Sequence, residues 1–202
     1  MGAAAKLRRR GVAGYSNENP YSRARRTAAV DRILLSTVAY RSPEEVFPYV
    51  RSFTDYPRYT EHLTDVRVHG DGGVGSVYDL RLTWWKLSYT ARSEVTSITP
   101  PESLTWQLRN NLDARGEWRI EPEPDAAPPE EETASRIYFE AVYDPHSADE
   151  NAISLPRFVS LDWVIGKVKP RLLSEAKGVV SRLVEDIEGR PRDVTLTIHE
   201  LP

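Results

Sequence analysis

The chain has 202 residues, no cysteine, one methionine, 40% hydrophobic and 28% charged residues, and a formal net charge of −3. A length in the range of about 100–200 residues predicts one domain with an appendage, large enough to bury a core. Without cysteine there is no disulfide framework, no thiolate-ligated zinc or iron–sulfur site and no thiol nucleophile, and no apolar run of about 18 residues is present to span a bilayer.

Charge is unevenly spread. Residues 1–30 carry seven basic groups against the single acid Glu18, so the rest of the chain is acidic, at −9. Few large aliphatics accompany the arginines, which predicts a disordered basic extension. It reads as an arm for anionic surfaces, as an organelle transit segment, or as a segment without function, Val30 being an alternative translational start. No apolar core of a secretory signal follows it, and Lys6 stands where N-myristoylation of Gly2 wants Ser or Thr. The acidic remainder argues against nucleic acid as a partner.

Arg32 to Tyr40 is apolar and β-branched, a predicted strand. Ser42-Pro43-Glu44-Glu45 is a helix start, with Ser as N-cap, Pro at the first turn and Glu45 closing a capping box. Val46, Phe47, Tyr49, Val50 and Phe53 make that helix amphipathic, and Asp55-Tyr56-Pro57 opens a second short helix ending near His62. From Val66 the period becomes two, with Gly70-Asp71-Gly72-Gly73 as a turn. Tyr78, Leu80, Leu82 and Trp84 share one face. So do Tyr89, Ala91, Ser93 and Val95, then Leu104, Trp106 and Leu108, then Ala114, Gly116, Trp118 and Ile120, and last Ile137, Phe139, Ala141 and Tyr143. About seven antiparallel strands follow, one face on a core and one in water. A helix is predicted from about Phe158 to Glu188, kinked by Pro170 and ended by Gly189 and Pro191. The tail from Asp193 to Leu201 alternates and could add an edge strand. The expected organisation is an extension (1–30), an α+β domain (31–189) and a tail (190–202).

Catalytic and metal signatures are scarce. His62, His69, His146 and His199 have no partner at helical spacing, so no metal site is predicted. Neither a nucleophile elbow nor a phosphate-cradling glycine loop occurs. The carboxylate pairs fall at a helix start or in loops, where they are solvated. Tyr78, Tyr89, Ser93 and Tyr143 are the polar groups on the predicted inner faces, with no Asp, Glu, His or Lys beside them. Asp79 and Arg81 would turn inward only if a bulge flipped their strand.

Ser42-Pro43-Glu44-Glu45-Val46-Phe47, Phe53-Thr54-Asp55-Tyr56-Pro57, Pro100-Pro101-Glu102-Ser103-Leu104, Gly116 to Pro122 and the strand from Phe139 to Pro145 together resemble the START and birch-pollen-allergen (SRPBCC) superfamily. The similarity extends over about residues 31–189 and is strongest to its polyketide cyclase/dehydrase and coenzyme Q-binding branches. It implies a helix-grip fold, a curved sheet wrapped around the long C-terminal helix with two short helices after the first strand. Such a grip leaves a pocket. The expected lining is Tyr78, Leu80, Leu82, Trp84, Tyr89, Ser93, Trp106, Trp118, Phe139, Tyr143, Val164 and Val168. The expected mouth lies between Tyr56, Tyr59 and His62 on one side and Phe158, Leu161 and Trp163 on the other. The implied function is binding of a hydrophobic small molecule (quinone, isoprenoid or other lipid) as carrier or chaperone, in the cytoplasm, with transient membrane-surface contact through aromatics at the mouth and without a cofactor. A cyclase, aromatase or dehydratase acting on a polyketide-like substrate is the second reading, and a regulatory interaction module the third.

Overall fold

The computed structural model describes residues 30–84, 87–110, 112–147 and 161–202; at 87, 146 and 161–173 only the backbone is described. The basic extension and Phe158 therefore lie outside the described residues. The architecture is α+β, an eight-stranded antiparallel sheet with a long C-terminal helix.

Strand β1 (Asp31–Ala39) leads into helix α1 (Pro43–Arg51). The Glu45 carboxylate accepts the Ser42 backbone N–H at 2.9 Å, the return half of the anticipated capping box. Val46, Phe47 and Val50 form the buried face of α1. The second short helix is a 3-10 turn, Phe53–Arg58, in which Pro57 removes a backbone donor.

A meander follows, β2 (Leu63–His69), β3 (Val77–Trp84), β4 (Leu87–Thr99), β5 (Ser103–Leu108), β6 (Asp113–Pro122) and β7 (Ser135–Asp144). Each pairs with the next, and β7 then pairs with β1 along the full length of both strands. The tail does form an edge strand, β8 (Thr197–Glu200), which pairs with β1, so the sheet runs β2-β3-β4-β5-β6-β7-β1-β8.

Helix α2 (Leu161–Glu188) continues through Pro170 and ends at Gly189, whose φ of 73° is the left-handed conformation a glycine adopts without penalty. Its N–H closes the last turn on the Glu185 carbonyl at 2.8 Å. Leu183 and Ile187 of α2 meet Ala39, Val46, Val50, Phe53, Tyr59, Leu104, Ile120 and Ile137 in one buried core. The core thus sits where α1, the 3-10 turn and the last turns of α2 converge on the sheet.

Outside the core the strands carry ion pairs. Asp79 on β3 takes Arg92 Nε at 2.8 Å and His69 Nε2 at 2.9 Å. The hydrogen bond from Arg92, helped by His69, holds its carboxyl down at about 2. The folded pKa lies below that of an unfolded aspartate, so the stabilisation is present above about pH 4 and is lost as pH falls through about 2. Asp79→Asn should flatten the acid-unfolding curve in that window and leave the curve above pH 5 parallel to wild type. A CD titration reads this, and an unchanged acid limb contradicts it.

Candidate ligand-binding site

The register decides which side chains share a face, because cross-strand partners in an antiparallel sheet point the same way. Tyr78 stands opposite Ser93, Leu80 opposite Ala91, and Leu82 opposite Tyr89. Trp106 faces Val95 on one side and Gly116 on the other. Trp118 faces Leu104 and Phe139, and Ala114 faces Tyr143. With Trp84 in phase on β3, the ten strand residues expected to line a cavity fall on one face of the sheet, the face that carries the core.

Their surroundings differ along that face. At one end the grip is filled. Tyr78 is buried edge-on against Phe53, ring centroids 4.9 Å apart, beneath a shallow groove of about 320 Å³ between α1, the 3-10 turn and the β2–β3 loop. In the middle runs an aromatic wall. Trp118 meets Phe139 at 4.8 Å, and Phe139 lies nearly parallel to Trp106 at 6.3 Å and 17°. Gly116 permits this wall, since a Cβ there would come within 2.4 Å of the Trp106 ring. At the other end Leu82 is 39% exposed.

Two expected mouth residues belong to the closed end instead. Tyr59 is 4% exposed and donates to Asp186 Oδ2 at 2.8 Å, while Arg182 Nη1 donates to the Tyr59 carbonyl at 2.6 Å. Tyr56 donates to the Val50 carbonyl at 2.6 Å and packs on Trp118. Residues 182–186 stand roughly 30 Å along the helix from Leu161, so the 3-10 turn faces the end of α2 and not its start. The chain misled here because a six-residue 3-10 turn shows no periodicity from which a buried face can be read. Tyr59 is therefore closed off as a surface aromatic for a membrane, and Tyr56 is half-buried. His62, half-buried, lies 3.7 Å from Glu175. Leu161, Trp163, Val164 and Val168 are placed on the helical backbone of α2, without described side chains.

The same face carries two further tyrosine hydroxyls, those of Tyr89 and Tyr143. Burial raises the pKa of both Tyr89 and Tyr143 hydroxyls, and Tyr143 is also hydrogen-bonded to Asp31. Asp31 corrects the expectation that no carboxylate shares this face. It pairs with Tyr143 in the register, in phase with Ile33, Leu35, Thr37 and Ala39. The signal was present, because those odd positions of β1 already alternate and Asp31 is the next one back. Asp79 and Arg81 stay on the opposite face, since no bulge interrupts the pairing of β3 with β4.

Among the described residues no group of three or more His, Asp or Glu side chains is placed to hold a metal ion. His69 is engaged by Asp79, and His199 lies 2.8 Å from Ser36 Oγ. Also among the described residues, no helix is long and apolar enough to cross a membrane.

Residues 33–188 match the family described as polyketide cyclase/dehydrase and lipid transport. Two solved structures are similar in fold. The di-domain aromatase/cyclase StfQ from the steffimycin biosynthetic pathway has a TM-score of 0.52 at 13% identity over 79% of this chain. The di-domain aromatase/cyclase BexL from the BE-7585A pathway has a TM-score of 0.54 at 11% identity over 81%. The chain spans 51% of the length of each. A comparison with curated proteins gives no match.

Proposed function

Because the chain belongs to the polyketide cyclase/dehydrase and lipid transport family, we propose that it binds a flat, mostly apolar small molecule on the concave face of its sheet and serves as its carrier. The observation that carries this reading is the wall formed by Trp106, Phe139 and Trp118. Trp106 and Phe139 lie nearly parallel with Trp118 tilted beside them, a rigid aromatic surface that suits a fused-ring or quinoid ligand better than a flexible hydrocarbon chain. The wall also contains two of the protein's tryptophans, so occupancy is readable from intrinsic fluorescence.

Titration of the full chain with menadione should give saturable tryptophan quenching with a dissociation constant on the order of micromolar. Trp118→Ala should weaken binding about tenfold, whereas Asp79→Asn, on the opposite face, should leave it unchanged. Linear, non-saturating quenching in wild type, together with no co-purifying organic molecule in native mass spectra, would overturn the proposal.

A second reading, a cyclase or aromatase acting on a polyketide-like substrate, is favoured by the Asp31–Tyr143 pair. A carboxylate hydrogen-bonded to a tyrosine can relay a proton to a carbonyl held on the same face. Turnover of a linear poly-β-carbonyl compound that Tyr143→Phe abolishes, with menadione binding intact, supports this reading over carriage alone.

A further inference from the structure

We infer that the Tyr89 hydroxyl is the donor by which this face selects its ligand, hydrogen-bonding a carbonyl oxygen of the bound molecule, so that an oxygenated ring system is preferred to a hydrocarbon of the same shape. This rests on the concave-face binding reading above.

The Tyr89 hydroxyl is buried and has no hydrogen-bond partner among the described residues. Three other tyrosines around the grip have partners. Tyr56 donates to the Val50 carbonyl, Tyr59 to Asp186, and Tyr143 is bonded to Asp31. A buried phenol without a partner forfeits its hydration and gains nothing in return, so native proteins seldom keep one without a use.

Its described neighbours along the two strands offer no acceptor. Tyr89 pairs with Leu82, and the next pair along the strands is Ala91 with Leu80, none of which has a side-chain acceptor. Its polarity follows from the same burial, which disfavours the phenolate and keeps the proton on oxygen. The group is thus a donor in search of an acceptor. Ser93 lies on the same face four positions along β4, roughly 13 Å away, and Leu80 and Ala91 occupy the space between. A ligand spanning this strip carries an acceptor oxygen at the Tyr89 end and an apolar body beyond it. Quinones and aryl ketones have that form, and plain polycyclic or isoprenoid hydrocarbons do not.

The test compares menadione with 2-methylnaphthalene, which has nearly the same outline without the carbonyls, on wild type and Tyr89→Phe. Wild type should favour menadione about tenfold. Tyr89→Phe should reduce that preference to within about twofold by weakening menadione alone. Stability supplies an independent sign. Removing an unsatisfied buried hydroxyl should raise the Tm of the ligand-free protein by about 2–4 °C, whereas removing one that holds the fold would lower it. An unchanged preference in Tyr89→Phe, or a less stable empty variant, overturns the inference while leaving concave-face binding intact. If neither probe binds wild type, the binding reading fails and this one with it.

Discussion

Arg192→Ala is expected to cost about 3 kcal/mol of folding stability and to lower the Tm by roughly 6–12 °C. Glu188, the last residue of α2, has a side chain only 1% exposed. Its two oxygens take both arms of the Arg192 fork, Nε and Nη2 each at 2.8 Å, and the Tyr40 backbone N–H at 2.8 Å. The same guanidinium donates to the Val38 carbonyl at 2.7 Å and lies 3.9 Å over the Tyr40 ring. Alanine would leave a buried carboxylate with one backbone donor, and such a charge is far costlier unpaired than paired. The backbone donor that remains sets the effect at the lower end of the usual range. Arg192→Lys should lose an intermediate amount, since an ammonium cannot fork across both oxygens. Adding Glu188→Gln to Arg192→Ala should restore part of the loss by removing the buried charge. Chemical denaturation of the three variants reads the series. A shift under about 0.5 kcal/mol for Arg192→Ala, the usual scale for surface changes, would mean that the tail is not anchored by this pair.

Gly116→Ala is expected to cost a similar amount, about 3 kcal/mol. The φ of this glycine is not at issue. The constraint is space, because a Cβ would stand 2.2 Å from the Glu140 carbonyl oxygen and 2.4 and 2.7 Å from Cζ2 and Cε2 of Trp106. The carbonyl belongs to the neighbouring strand β7 and cannot retreat without disturbing the ladder. The indole could tilt, but only by leaving its near-parallel stacking on Phe139. The variant should therefore lose stability and ligand together and change its near-UV CD. Trp106→Leu in the Gly116→Ala background should relieve the ring contact alone and recover a fraction of the stability. Wild-type denaturation of Gly116→Ala would show that Trp106 does not lie across the glycine.

The sheet was legible in the sequence because each strand of a meander is read on its own. Period-two alternation identifies one face, and short connections bring the faces of successive strands to the same side. Ten dispersed residues from Tyr78 to Tyr143 could therefore be assigned to one surface without any register. Features that depend on distant pairing were harder to read. Asp31 joins the face only through its pairing with Tyr143. The burial of Glu188 arises from a tail that folds back on Val38 and Tyr40, and nothing in the Glu188 neighbourhood of the sequence announces it. Gly116 simply occupies an inward position in an alternating strand, so the Trp106 ring pressed against it is visible only in three dimensions. Tyr56 and Tyr59 were misplaced for a different reason, an irregular turn whose burial is fixed by Asp186 and Val50.

The position of β1 in the sheet also sets an order of events during synthesis. β2 to β7 each pair with the next strand in sequence, across connections no longer than residues 123–134, and can zip up pairwise while the chain is still emerging from the ribosome. β1 is made first, yet Arg32 meets Glu140 only 108 positions later and Glu200 168 positions later. At translation rates of about 5–20 residues per second, β1 waits several seconds or more for its first neighbour. During that interval Ile33, Leu35 and Val38 form a β-prone segment with both edges unpaired, a target for holding chaperones and for aggregation. Closure by β7 is consequently the late, non-local step in assembling this sheet, and β8 then covers the other edge of β1.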